Sequence, residues 1–416
     1  MTWPRYGYRA SAAAVILLVI TMIPSSSVGA ASTVGGGRVT TYPDPTIGTP
    51  IGIVQGPDGA MWFTNSGNNS IGRITTTGVV TNFSDPSINS PLGITVGPDG
   101  ALWFVNSPFQ QQGSIGRITT SGQVSNYTDP TMDGPQSLAT GSDGALWYTN
   151  YYGDSIGRIT TSGQVTNYTG RSIDYPEGIT AGPDGALWFT NSGNNSIGRI
   201  TTTGTATHYT HRDLRTPADI TVGPDGAMWF TNFGNGLDHI VIGRITTAGT
   251  ITGFRGANLG VNSPYEIAAG PDGALWFTDT TPSGAAAIGR ITTGGTITAN
   301  YPTSTASADG IASGPDGALW FTDAGDNEIG RVTSAVTPSI VRFSPASATV
   351  GTTVTIKGTN LSPTSRVAFN GTTSVVLSQS ATQVTASVPS GATVGRITIT
   401  TPVGVATSTT NFRPKA

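Results

Sequence analysis

The phrase GPDGAMWFTN at residues 56–65 recurs six more times with small changes, around Trp103, Trp147, Trp188, Trp229, Trp276 and Trp320. The Trp-to-Trp spacings are 41, 44, 41, 41, 47 and 44 residues. A chain repeating itself at that interval is building one supersecondary unit seven times over. Helix-period apolar patterns are absent from the repeats, and Gly, Thr, Ser and Pro abound between short apolar runs. Such runs between tight turns are strands.

One unit shows how many strands each repeat holds. Ile51 to Val54 is a short strand, and Gly56-Pro57-Asp58-Gly59 has Pro and Gly where a type I turn places them. Met61 to Thr64 is the second strand, Ile71 to Thr75 the third and Val79 to Phe83 the fourth, with Thr77-Gly78 as a hairpin turn. Four antiparallel strands per unit make a propeller blade. Trp62 and Phe63 point to opposite faces because strand side chains alternate. A strand apolar on both faces is buried on both, so the seven Trp are expected between blades rather than on a ligand platform. Each blade also carries an IGR phrase, at Arg73, Arg117, Arg158, Arg199, Arg244, Arg290 and Arg331. A residue repeated around a ring serves the blade, and each Arg is expected to be half-buried and paired with a turn carboxylate such as Asp58.

Seven aromatics end fourth strands: Tyr42, Phe83, Tyr127, Tyr168, Tyr209, Phe254 and Tyr301. The first precedes the first GPDG turn, and none follows Arg331. The outer strand of the last blade is therefore expected from residues 38–42, closing the ring and removing an open edge.

Three segments follow from this pattern. Residues 1–30 read as a secretory signal peptide: Arg5 and Arg9, an apolar run from Ala10 to Ile23, and small Val28 and Ala30 before a cleavage site. Residues 31–335 are the propeller. Residues 336–416 change to alternating strands from Ile340 to Phe412, the pattern of a small immunoglobulin-like β-sandwich. The fold class is all-β throughout. No cysteine is present, so packing and strand pairing alone must hold a secreted chain. Net charge is −3 with lysine only at Lys357 and Lys415, which leaves no basic stripe for phosphates and argues against nucleic acid as a partner. No membrane span is expected once the signal is cleaved, and the destination is extracellular or cell-envelope associated.

The phrases PLGITVGPDGALWFVN, PEGITAGPDGALWFTN and SIGRITTTG resemble the virginiamycin B lyase, or streptogramin lyase, family across all seven blades. FSPASATVGTTVTIKGTNL, VAFNG and VTASVPSGATVGRITITTPVG resemble an IPT/TIG domain, a kind that commonly acts as spacer or interaction module. The first resemblance implies a seven-bladed ring and a magnesium-dependent elimination that linearises type B streptogramin antibiotics. It also implies a His base with Glu residues near the metal, in the central mouth. Such chemistry needs a base of near-neutral pKa and a cation to steady the enolate.

Strand topology selects the residues that reach that mouth. Starts of first strands contribute Gln136, Glu177, Asp219, Tyr265, Glu266 and Asp309; ends of second strands contribute Asn65, Asn106, Asn150, Asn191, Asn232, Asp279 and Asp323. The family commonly shows Glu after WFT, where this chain has Asn or Asp, and no His occupies any of these positions. The carboxylates Glu177, Asp219, Glu266, Asp279, Asp309 and Asp323 are the candidate Mg²⁺ ligands, and the amides with Gln136 and Tyr265 the candidate ligand-binding mouth. His239 lies in the longest Trp-to-Arg loop, 15 residues against 11 in four other blades, and is the candidate base. The expected function is a secreted binding or scaffold protein with a small-molecule, glycan or protein ligand at the mouth, and a protein or cell-wall partner for the tail. The alternative is the Mg-dependent carbon–oxygen lyase, an antibiotic-inactivating enzyme.

Overall fold

The computed structural model describes residues 32–34, 37–233, 240–255, 261–281, 284–303, 307–333, 338–361, 364–380, 382–401 and 404–415. The strands between residues 32 and 333 form seven antiparallel sheets, the blades of a propeller. Blade 1 is Pro50–Gln55, Met61–Asn65, Ser70–Ile74 and Val80–Ser84. Blades 2 to 6 repeat it, with first strands Pro91–Val96, Pro135–Thr140, Pro176–Ala181, Pro217–Val222 and Ser263–Ala269. In blade 7, Ala308–Ser313, Leu319–Asp323 and Glu328–Thr333 come from the end of the repeat region, and the fourth strand is Gly37–Pro43. Its register runs from Arg38 opposite Thr333 to Pro43 opposite Glu328. A fifth strand, Ser32–Val34, pairs outside it.

One polar triad holds each blade, and the sequence repeats it seven times. In blade 1 the Trp62 indole N–H donates to Asp58 Oδ1 at 3.0 Å, and Arg73 Nε donates to Asp58 Oδ2 at 2.6 Å. The same pair of bonds joins Trp320, Asp316 and Arg331 in blade 7. The Arg and Asp side chains of blade 1 are 24% and 21% exposed, so solvent screens the pair only partly. Burial pushes the carboxyls of Asp58, Asp99, Asp143, Asp184 and Asp225 up, but their Trp and Arg bonds outweigh it and leave each below its ordinary value. Beneath the triad, each Trp stacks on the fourth-strand aromatic of its own blade, with centroids 5.3–5.5 Å apart. Tyr42 stacks on Trp320 in that way, so the N-terminal strand supplies blade 7 with the ring the other blades carry locally.

The core lies between blades. Trp62 and Ile71 of blade 1 pack with Ile94, Leu102, Phe104 and Ile118 of blade 2, whereas Phe63 packs the other way, against Trp320 and Ile329 of blade 7. All seven Trp are fully buried. Glycine of the IGR phrase makes room for the phenylalanine: a Cβ on Gly72 would stand 2.1 Å from the Phe63 ring. A second ladder ties the inner strands. Thr64 Oγ1 accepts the Gly52 N–H at 2.9 Å and donates to the Leu92 carbonyl of blade 2 at 2.7 Å. Equivalent threonines bridge blades 3 to 4, 4 to 5, 5 to 6, 6 to 7 and 7 to 1. Blade 2 has Val105 at that position and lacks the hydroxyl.

The tail is a two-sheet sandwich. One sheet orders Ser339–Ser344, Thr353–Thr359, Gln383–Ser387 and Val376–Gln379; the other orders Ser347–Ala348, Gly404–Pro414, Gly395–Thr401, Arg366–Phe369 and Thr372–Ser374. Val354, Ile356, Phe369, Val384, Ile397 and Phe412 fill the space between them.

Candidate functional site

Residues at the starts of the first strands surround a cavity of about 310 Å³. Its lining is asymmetric. Ile51 and Leu92 give blades 1 and 2 an apolar side, Gln136 and Ser137 follow in blade 3, and Glu177, Asp219, Tyr265 and Glu266 make the side formed by blades 4 to 6. Tyr151 and Phe233 add two aromatic walls from the turns after second strands.

The backbone explains why these positions reach the cavity. Each first strand is interrupted by a register shift, between Pro176 and Ile179 in blade 4 and between Pro264 and Ile267 in blade 6. The two residues in the gap leave the ladder and face the ring's interior. The second of them is Gly or Ser in five blades and abuts the next blade's inner strand: a Cβ on Gly52 would stand 2.6 Å from the Leu92 carbonyl. Blades 5 and 6 carry Asp219 and Glu266 there instead. Both carboxylates reach the next blade. Asp219 Oδ2 accepts the Ile267 N–H at 3.0 Å, and Glu266 Oε2 accepts the Ile311 N–H at 3.3 Å.

Enclosure and mutual repulsion dominate the electrostatics. Burial pushes the Glu177 carboxyl up to about 7; Asp219 raises it further while a Ser192 hydrogen bond lowers it. Burial takes Asp219 up to about 6 despite the hydrogen bonds it accepts from the Ile267 and Ile220 backbone, and Asp309 also to about 6. Glu266 is raised well above the ordinary range by burial and by the charges of Asp219 and Asp309. The phenols of Tyr151 and Tyr265 are pushed up by burial and by Glu177, so both stay neutral near pH 7. These side chains are nevertheless open to the cavity, with Tyr265 43% exposed. They are hemmed in by the ring yet still accessible, the arrangement that perturbs carboxyls at ligand sites.

The residues closing the second strands do not join this group. Asn65, Asn150, Asn191, Asn232 and Asp323 are fully buried, with Asn106 and Asp279 nearly so, and none lines the cavity. Asn65 accepts the Gly48 N–H and donates to Ser70 and Asn82 within its blade. Asn106, Asn150 and Asn191 repeat bonds of that kind, Asn232 donates to the Ile240 carbonyl, and Asp279 accepts the N–H groups of Asn262 and Ser263. Each shares the phenylalanine's face of its strand, so it points between blades and not toward the axis. The six candidate metal ligands therefore separate: Asp279 and Asp323 belong to blade interiors, Glu177, Asp219 and Glu266 line the mouth, and Asp309 stands outside the lining but near enough to raise Glu266 by its charge. No three of the mouth carboxylates bring oxygens within 4.8 Å of one another; among the described residues the group that does is Asp323, Asp326 and Glu328. Asp219 and Glu266 each already hold a backbone N–H of the next blade.

His239 lies outside the described residues. His208 and His211 bond locally, to Ser172 and to the Asp213 N–H, and neither lines the cavity. Tyr151, Phe233 and Thr216 line it without having been singled out from the sequence. The signal for the two aromatics was the residue after the second-strand Asn or Asp. Across the blades it reads Ser66, Ser107, Tyr151, Ser192, Phe233, Thr280 and Ala324, with two aromatic exceptions.

The model of the virginiamycin B lyase family matches residues 11–241 and 173–359, and that of the IPT/TIG domain matches residues 338–413. Among solved structures, a streptogramin B lyase is 33% identical with a TM-score of 0.64, covering 71% of this chain and 97% of its own. Virginiamycin B lyase from Staphylococcus aureus is 35% identical with a TM-score of 0.62, covering 72% and 99%. A catalytically inactive histidine-to-alanine variant of the Staphylococcus aureus enzyme, with quinupristin, gives 33% and 0.63 over 72% and 99%. No curated protein sequence matches.

Proposed function

The chain belongs to the virginiamycin B lyase family, and from that premise we propose that it is a secreted binding protein whose propeller mouth holds a small molecule. One observation carries the reading: a cavity of about 310 Å³ whose lining breaks the sevenfold repeat only where side chains meet its open space. Everything repeated seven times is engaged in the scaffold, and the acidic and aromatic exceptions Glu177, Asp219, Glu266, Tyr151 and Phe233 meet at the mouth. The signal segment supports export, and the IPT/TIG domain serves as a spacer or as the contact to a protein or cell-wall partner.

Elimination is the second reading, favoured by the family itself and by the mouth carboxyls. It needs a base at the substrate, and no histidine of the described residues lines the cavity. The inactive Staphylococcus aureus variant with quinupristin supports the distinction: a family member disabled at one histidine was still obtained with that molecule. Among the described residues the mouth holds acids, an amide and aromatics, a lining suited to holding a molecule.

The test is incubation of the mature chain with quinupristin and Mg²⁺, followed by mass spectrometry and a melting curve. Binding without turnover predicts a raised Tm and intact antibiotic. A linear product of unchanged mass would replace the binding reading with the lyase. An unmoved Tm with no product would remove this ligand class.

A further inference from the structure

Resting on the reading of the mouth as a ligand site, we propose that its ligand is an organic cation, an amine or quaternary ammonium group carried on an apolar or aromatic body. Three carboxyls, Glu177, Asp219 and Glu266, stand in the lining, and among the described residues no Lys, Arg or His stands with them. Asp309 adds a fourth acid close enough to raise Glu266 by its charge. No cation among the described lining residues neutralises this group, so an incoming positive charge relieves a repulsion already built into the ring. A neutral ligand leaves that repulsion in place, and an anion adds to it.

The second requirement is an apolar body. Phe233 and Tyr265 are 36% and 43% exposed, in a propeller whose seven Trp are fully buried. With Tyr151 they offer aromatic surface beside the carboxyls, and Ile51 and Leu92 offer an aliphatic side opposite. Aromatic faces attract alkylammonium groups through the ring quadrupole, more strongly where water is excluded. The spacing of the acids points the same way. They are too dispersed for three to grip one small ion, and two already hold backbone N–H groups of the next blade. A charge spread over several ångströms of alkyl surface meets dispersed carboxylates and rings better than a compact ion does.

The experiment is calorimetric titration of the full mature chain with benzyltrimethylammonium chloride at pH 7.5 and low salt. Benzyl alcohol and benzoate are the neutral and anionic counterparts, and MgCl₂ is titrated separately. The expected result is one site per chain, with the cation at least about tenfold tighter than either counterpart. Glu177→Gln and Phe233→Ala, each checked for an unchanged melting transition, are expected to weaken it by about tenfold.

Benzyl alcohol binding as tightly as the cation would overturn the proposal. So would cation binding indifferent to both variants, or Mg²⁺ occupying the site and displacing the probe. Stabilisation by quinupristin with no response to benzyltrimethylammonium would end the cation proposal and keep the mouth as a site. If neither ligand bound, the binding reading itself would fall.

Discussion

The turn face and the mouth of this propeller are built from the same seven repeats by opposite rules. On the turn face every blade spends its Asp on one Trp and one Arg, in bonds of 2.6–3.1 Å. At the mouth the equivalent positions differ from blade to blade, and the acids there are raised by burial where most turn acids are lowered by their partners. A carboxylate that has found an Arg and an indole stabilises the fold. One that is enclosed among other carboxylates, with backbone or hydroxyl partners but no cation among the described residues, costs stability and is available for a ligand.

The contrast can be broken most severely at the seam. Removing residues 31–44 takes away the outer strand of blade 7 and the Tyr42 ring stacked on Trp320. Loss of the cooperative unfolding transition is expected in calorimetry; a ring that melts as before would show that closure does not need this strand. Next in size is Asp184→Ala, which leaves the Trp188 N–H and Arg199 without their acceptor. A loss of about 2–3 kcal/mol is expected in urea unfolding. Arg199→Met removes one charge-assisted bond and should cost about 1 kcal/mol. Equal losses for the two variants would mean that the indole bond contributes nothing.

The two regions also titrate in opposite senses. A carboxyl raised in the folded state favours folding as it protonates, so the mouth acids should add stability as pH falls from about 7 toward 4. A carboxyl lowered in the folded state contributes stability above its unfolded value of 3.8, and that contribution disappears as pH falls further through the folded value. Melting temperature measured against pH should therefore peak in mildly acidic solution. Glu177→Gln should flatten the part of this limb just below pH 7 and leave the acid limb unchanged. The smallest effect is expected at Val105→Thr, which places a hydroxyl between the Gly93 N–H and the Gln136 carbonyl as in the other six blades. A gain of about 0.5–1 kcal/mol would extend the inner ladder, and a loss would show that the packing of Val105 against blade 3 favours the apolar residue.

The scaffold was legible because each of its contacts is written seven times. The opposed faces of Trp62 and Phe63, the pairing of Arg73 with Asp58 and the orphan aromatic Tyr42 all follow from strand alternation and from counting. The first-strand starts were legible as mouth residues for the same reason. The second-strand Asn residues were assigned to the mouth by their place at the strand end, whereas the same alternation puts each on the face of the ring two positions earlier and so between blades. Tyr151 and Phe233 sit in turns, where no periodicity applies. Ser32–Val34, Ser347–Ala348 and Thr372–Ser374 are edge strands of two or three residues, too short for an alternating pattern to show.

Hydrogen–deuterium exchange on the mature chain, with and without saturating benzyltrimethylammonium, tests the division between scaffold and site most directly. The account predicts added protection at the starts of the first strands of blades 4 to 6 and in the turns at Tyr151 and Phe233, with the GPDG turns unchanged. Protection confined to the GPDG face or to the C-terminal sandwich would contradict it.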